Sequence, residues 1–218
     1  DGASGNRLWH ATRPGEALVL RQAGVLTAVG NTLVAGLSGR VVGIDPTDGT
    51  TQWEAPVATP RGVNDVERLV DLVAPVARQG DELCVRAFQA AVGCVDAARG
   101  ATRWSRLASG GAGVAGDDEH IYGTESDGTV QAWQRGSGER AWSTDLLRWR
   151  SLTAPLVLGR SVVVGDGTGL VHLLARTDGK PVARLSTDGS GIAAPPVAAG
   201  DTLVVVTRRG AVYGFRPQ

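Results

Sequence analysis

Asp45-Pro46-Thr47-Asp48-Gly49-Thr50-Thr51-Gln52-Trp53 follows the apolar run Val41-Val42-Gly43-Ile44. A strand is expected to end at Asp45. A tight turn then closes on Gly49, where the missing Cβ tolerates a positive φ, and a second strand carries Trp53 inward. The same order returns as Asp96 to Gly100 before Trp104 and as Gln134 to Gly138 before Trp142. Asp1 to Gly5 precedes Trp9 in the same way, Ala175 to Gly179 precedes Ala183, and a truncated copy stands at Phe215-Arg216. The copies start at 1, 45, 96, 134, 175 and 216, at intervals of 44, 51, 38, 41 and 41. A period near forty built from strands and Gly turns indicates repeated four-stranded units. The fold class is therefore all-β, a propeller of about five blades, either a closed ring or an arc of a larger one.

The 22 basic and 22 acidic side chains leave no formal net charge, so nothing draws the chain globally to nucleic acid or to an anionic membrane surface. No apolar run is long enough to span a bilayer. The chain has no Met and no charged-then-apolar leader, and is read as an excised or processed segment. Cys84 and Cys94 lie on the two arms of one expected hairpin. They face each other as a disulfide in one register and remain two buried thiols in another.

The units are expected at about 24–56, 72–107, 112–146, 152–185 and 192–217, with residues 1–12 supplying a strand that pairs with the last of them. Inner strands covered on both faces explain the near-continuous Val, Leu and Ala. The polar insertion Thr59 to Asp71 accounts for the long second interval.

The residues that could carry catalysis do not converge. His10, His120 and His172 lack metal-ligand spacing, and His172 falls mid-strand as a packed or hydrogen-bonded residue. Gly165-Asp166-Gly167-Thr168-Gly169 superficially resembles a phosphate loop. It occupies a hairpin position, however, with no helix after it to bind an anion. Asp117-Asp118-Glu119 is a local turn. Trp9, Trp53, Trp104 and Trp142 share one repeat position, which points to packing between blades. Trp133 and Trp149 lie off that register, and Trp149 is a candidate exposed anchor. No catalytic, metal or cofactor residue is assigned.

The repeat resembles the pyrroloquinoline-quinone (PQQ)-like propeller repeat. The segments between repeats resemble something more specific. These are Glu16-Ala17-Leu18-Val19-Leu20-Arg21, Val66-Glu67-Arg68-Leu69-Val70-Asp71, Asp145-Leu146-Leu147-Arg148 and Leu152-Thr153-Ala154-Pro155-Leu156-Val157, with Val163-Val164-Gly165-Asp166-x-x-Gly169-x-Val171-His172. In order, over essentially the whole chain, they are similar to the C-terminal part of the BamB family, the propeller lipoproteins of the outer-membrane β-barrel assembly machine. The resemblance implies an arc of an eight-bladed ring and a non-enzymatic scaffold without cofactor. It implies residence at the periplasmic face of the outer membrane, through a lipid anchor upstream of Asp1. The implied partners are the periplasmic (POTRA) domains of BamA, other lipoproteins of the machine and unfolded outer-membrane proteins.

The implied partner site is Leu18, Leu20, Arg21 and Asp71, with Val73 standing where the family pattern has a second acidic residue. Both segments join strand four of one blade to strand one of the next, and such connections emerge on one face. Exposed leucines beside an arginine suit an interface anchor. The alternative is that the leucines staple the inter-blade core and Asp71 acts as a cap. Two other classes stay open: a fragment of a quinoprotein dehydrogenase, and a five-bladed ligand-binding propeller such as a lectin.

Overall fold

A computed structural model of the chain describes residues 1–12 and 18–216. Glu16 and Ala17 of the first connection, and residue 217 of the last expected unit, lie outside the described residues. All the regular elements described are strands, in five antiparallel sheets. The first sheet is β1 (Leu26–Val29), β2 (Thr32–Leu37), β3 (Arg40–Ile44) and β4 (Thr51–Pro56). The second is β5 (Leu72–Gln79), β6 (Glu82–Ala87), β7 (Ala91–Asp96) and β8 (Ala101–Leu107). The third is β9 (Ala115–Gly116), β10 (His120–Thr124), β11 (Val130–Gln134) and β12 (Arg140–Thr144). The fourth is β13 (Leu156–Leu158), β14 (Ser161–Gly165), β15 (Leu170–Ala175) and β16 (Pro181–Ser186). The fifth has three strands, β17 (Val197–Ala199), β18 (Thr202–Val206) and β19 (Val212–Phe215). Each sheet is a propeller blade whose strands pair in chain order.

Burial follows position within the blade. All of β6 is buried, because sheets cover both its faces, whereas β16 at an outer edge is largely exposed. Apolar clusters fill the junctions between successive blades. Val34, Val41 and Ala55 meet Leu83, Val85 and Val95 between blades one and two. Val92 and Trp104 meet Val114, Ile121 and Trp133 between two and three. Blades three and four share Val130, Leu147 and Leu174, and blades four and five share Val163, Ile192 and Val205. Each such side chain contributes about 1.5–3 kcal/mol on burial. Among the described residues no buried cluster joins blade five to blade one, so of the two shapes left open the blades form an arc.

The repeated motif builds a joint between neighbours. The ladder between the last two strands of blades one to four slips by a residue at Gly43/Ile44, Cys94/Val95, Ala132/Trp133 and Leu173/Leu174. Such a bulge re-aims the side chains beside it. Just beyond it Trp53, Trp104 and Trp142 each reach the next blade and lie on its turn glycine, Gly100, Gly138 and Gly179. At Gly100, φ is +65° and an added Cβ would stand 2.4 Å from the Trp53 ring, so both backbone and space demand glycine. Trp104 and Trp142 also donate their indole N–H to the carbonyls of Arg135 and Arg176, at 2.7 and 2.8 Å. Those two arginines turn their side chains back to the preceding blade, where Arg135 meets Glu82 at 2.6 Å and Arg176 meets Asp117 at 2.7 Å.

The N-terminal expectation requires correction. Residues 5–11 form no strand on the last blade, which keeps three strands. Trp9 instead lies against Gly49 and donates to Pro46 O at 2.7 Å, which is the same joint made onto blade one. Of the two cysteine readings the disulfide holds: Cys84 and Cys94 are directly paired across β6 and β7, and bonded.

Candidate functional site

The connections between blades share one face with the turns between second and third strands, and backbone hydrogen bonds lock the two together. Gln89 N–H donates to Gly110 O, Trp149 N–H to Asp127 O, Gly167 N–H to Arg150 O and Arg208 N–H to Gly191 O, all at 2.7–2.9 Å. Among the described residues, the four non-glycine residues with positive φ, Ser38, Gln89, Trp149 and Ser151, all belong to this face. Backbone strain of this kind concentrates where a surface has been shaped for a task.

Leu18, Leu20, Arg21 and Asp71, separated by some fifty residues, come together here. The Leu20 N–H donates to Asp71 Oδ2 at 2.8 Å. Ala74 N–H donates to Ala23 O, and Gly24 forms a bridge with Val73, so the first connection is stitched to the start of β5. Leu18 is 41% exposed and Arg21 is exposed, whereas Leu20 is half-buried. Val19 is 65% exposed and presents more apolar surface than either leucine. The segment is not a strand, so alternate residues do not share a face, and the pattern Leu-x-Leu hid Val19. Leu37 and Ser38 complete the neighbourhood, around a shallow cavity of about 230 Å³ reaching from Val19 to Val73. Val73 is only 1% exposed and belongs to the core. Asp71 is thus the sole acidic member of the set, and its carboxylate is committed to positioning the Leu20 backbone.

Two buried ionic groups brace the same face further round. Arg86, fully buried, crosses from blade two to Glu125 of blade three at 3.0 Å and passes over the Trp133 ring. Burial pushes its guanidinium down in pKa, against the opposing pull of Glu125. Glu125 in turn accepts from Ser109 N–H and Oγ–H, ordering the connection between the two blades. Asp166, also fully buried, faces His172 Nε2 at 2.9 Å and Arg150 at 3.1 Å and accepts from Thr168 and from Leu170 N–H. Burial works to raise this carboxyl, but the hydrogen bonds from His172, Leu170 and Thr168 outweigh it and hold its pKa at about 2. The segment 165–169 is therefore a hairpin turn closed around its own aspartate, and His172 is a hydrogen-bonded core residue, both as read from the sequence.

Trp149 is 80% exposed with φ +62°, and Leu146, three residues before it in the same connection, is 62% exposed. Elsewhere, Glu82, Cys84 and Cys94 lie within ligand distance of one another, but both sulfurs are spent in the disulfide.

A family model described as outer membrane protein assembly factor BamB matches residues 1–144. A protein of that name from Burkholderia pseudomallei is 41% identical over 217 residues, which is 99% of this chain and 57% of the relative. Another from Bordetella pertussis is 38% identical over 215 residues, 98% of this chain and 56% of the relative. The chain thus spans little more than half the length of these curated relatives. The crystal structure of BamB from Moraxella catarrhalis superposes with a TM-score of 0.85 at 23% identity, covering 94% of this chain and 62% of that one.

Proposed function

This chain belongs to the outer membrane protein assembly factor BamB family, and on that footing we propose that it is a non-enzymatic scaffold of the outer-membrane β-barrel assembly machine. Its connection face docks the periplasmic domains of BamA and so aids insertion of outer-membrane proteins. The observation that carries the reading is the bond from Leu20 N–H to Asp71, which welds two connections into one shaped surface. In that surface Leu18, Val19 and Arg21 touch the partner, Leu20 lies at its inner edge, and Asp71 positions them. The Cys84–Cys94 disulfide suits an oxidising compartment such as the periplasm. A lipid anchor upstream of Asp1 holds the full-length protein at the periplasmic face of the outer membrane.

Binding of the chain to the soluble periplasmic region of BamA, measured beside a Leu20→Ala/Arg21→Glu double variant, tests this. Loss of binding in a variant that unfolds at the wild-type midpoint supports the surface. Equal binding by both chains discards it, and absence of binding by folded wild-type chain discards BamA as the partner of this segment.

A further inference from the structure

Trp149 projects from the connection between blades three and four, remote in sequence from Leu18 and Asp71. A large apolar ring left 80% exposed gains nothing for folding, yet the turn that carries it is secured at several points. Its own N–H is bonded to Asp127 O. Arg148, one residue before, forms ion pairs with Asp127 at 3.3 Å and Asp145 at 3.7 Å. Arg150, one residue after, reaches the buried Asp166, and its carbonyl accepts from Gly167 N–H. Trp149 and Ser151 both hold a positive φ, a conformation that bulky side chains avoid unless the surroundings impose it. The backbone that carries the ring is therefore held in a fixed place, and pre-organisation of this kind lowers the entropic penalty of association.

The hydrogen-bonding groups around the ring are unequally committed. The carboxylates of this turn and of the next two along the face are engaged: Asp127 with Thr129 and Arg148, Asp145 with Arg148, Asp166 with His172 and Arg150, and Asp188 with Ser190 and Thr207. Next to Gly167 lies Gly191, against which the exposed Arg208 guanidinium rests; a Cβ on Gly191 would stand 2.8 Å from Gly167 O and 3.1 Å from Arg208 Nε. No ion pair engages the Arg208 guanidinium among the described residues. What the patch offers outward is an indole, the apolar Leu146 and a free cation.

We propose that Trp149, with Leu146 on the same connection and Arg208 on the blade-five turn of the same face, is a second docking point, separate from the surface around Leu18 and Asp71. It fits a folded protein partner that presents an apolar pocket edged by carboxylates. The indole fills the pocket, and Arg208 pairs with an acid at its edge. Arginine and tryptophan are the side chains most often found to dominate such contacts.

The test places the photo-crosslinking residue benzoylphenylalanine at position 149 of the full-length protein in living cells, with the exposed Val182, at the start of β16 beside the Gly179 turn of the opposite face, as control. The expected result is one discrete adduct from position 149 and none from position 182, whose cross-linked peptide, identified by mass spectrometry, is apolar and flanked by Asp or Glu. Its yield should fall about tenfold with Arg208→Glu and stay near wild type with Arg208→Lys. It should persist in the Leu20→Ala/Arg21→Glu background, which separates this result from failure of the BamA surface. Loss of the adduct in that background would overturn a separate site. Adducts to lipid, to glycan or to a second copy, an indifferent response to Arg208→Glu, or no adduct at all would overturn the proposal.

Discussion

The two faces of the arc are built on opposite principles. On one, a single device recurs: a tryptophan crossing to the next blade and a glycine turn that receives it, at Trp9–Gly49, Trp53–Gly100, Trp104–Gly138 and Trp142–Gly179, with a bulge beside the last three tryptophans. On the other, no two connections are alike. One is lengthened by an insertion that ends in a carboxylate clasping a neighbouring backbone N–H, another carries an exposed tryptophan, and buried Arg86 and Asp166 brace them from beneath. The regular face holds the blades in place, and the irregular face is free to differ because the regular one has already supplied the architecture. Function is accordingly sought where the repeat breaks down.

Two tryptophans give the widest contrast. Trp104→Ala, which empties a buried joint, should destabilise the chain by about 3–5 kcal/mol in urea unfolding. Gly100→Ala should cost about 1–3 kcal/mol by forcing a Cβ against Trp53 at a positive φ, and a neutral outcome would break the account of the joint. Asp166→Asn should cost about 1–3 kcal/mol near neutral pH. The folded carboxyl titrates at about 2 against an ordinary 3.8. Its contribution is therefore complete above the unfolded value and fades as pH falls from about 4 through 2. The stability gap between wild type and Asp166→Asn should close over that window, and a gap that widened in acid would contradict the assignment. Asp71→Ala should alter the unfolding midpoint little yet weaken BamA binding about tenfold, since only the pose of residues 18–21 is released. Smallest of all, Trp149→Ala should leave stability within about 0.5 kcal/mol, by the same urea measurement.

The regular face was legible because its determinants are local. Gly49 and Trp53 lie four residues apart, and their spacing recurs whatever surrounds it. The expected pairing of residues 1–12 with the last blade fails although Trp9 does pack between blades: its turn and spacing match the other copies but do not say which blade receives the ring. The rule visible in the structure, each tryptophan onto the glycine of the following copy, would have sent it to Gly49. Cys84 and Cys94 needed a register that composition does not contain. On the irregular face the sequence brought Leu18, Leu20, Arg21 and Asp71 to one rim through the topology of the connections. It did not show that Asp71 is occupied by Leu20 N–H, nor that Val19 outranks Leu20 in exposure, because both depend on a contact across fifty residues in a segment without strand periodicity. Arg86 and Asp166 left no such trace, since a charged residue in a strand or turn reads as solvated until its neighbours are known.

The tryptophan joint is one-directional: blades one to three each reach forward, and blades one to four are each reached from behind. Pulled from its two ends, an arc held in this way takes the tension one joint at a time. Release of one repeat of 41 residues would lengthen the chain by up to about 140 Å at roughly 3.4 Å per residue. A force–extension trace of the chain would then show a sawtooth of nearly even teeth. The tooth of blade two would be shortened by the disulfide, which keeps the residues between Cys84 and Cys94 from paying out.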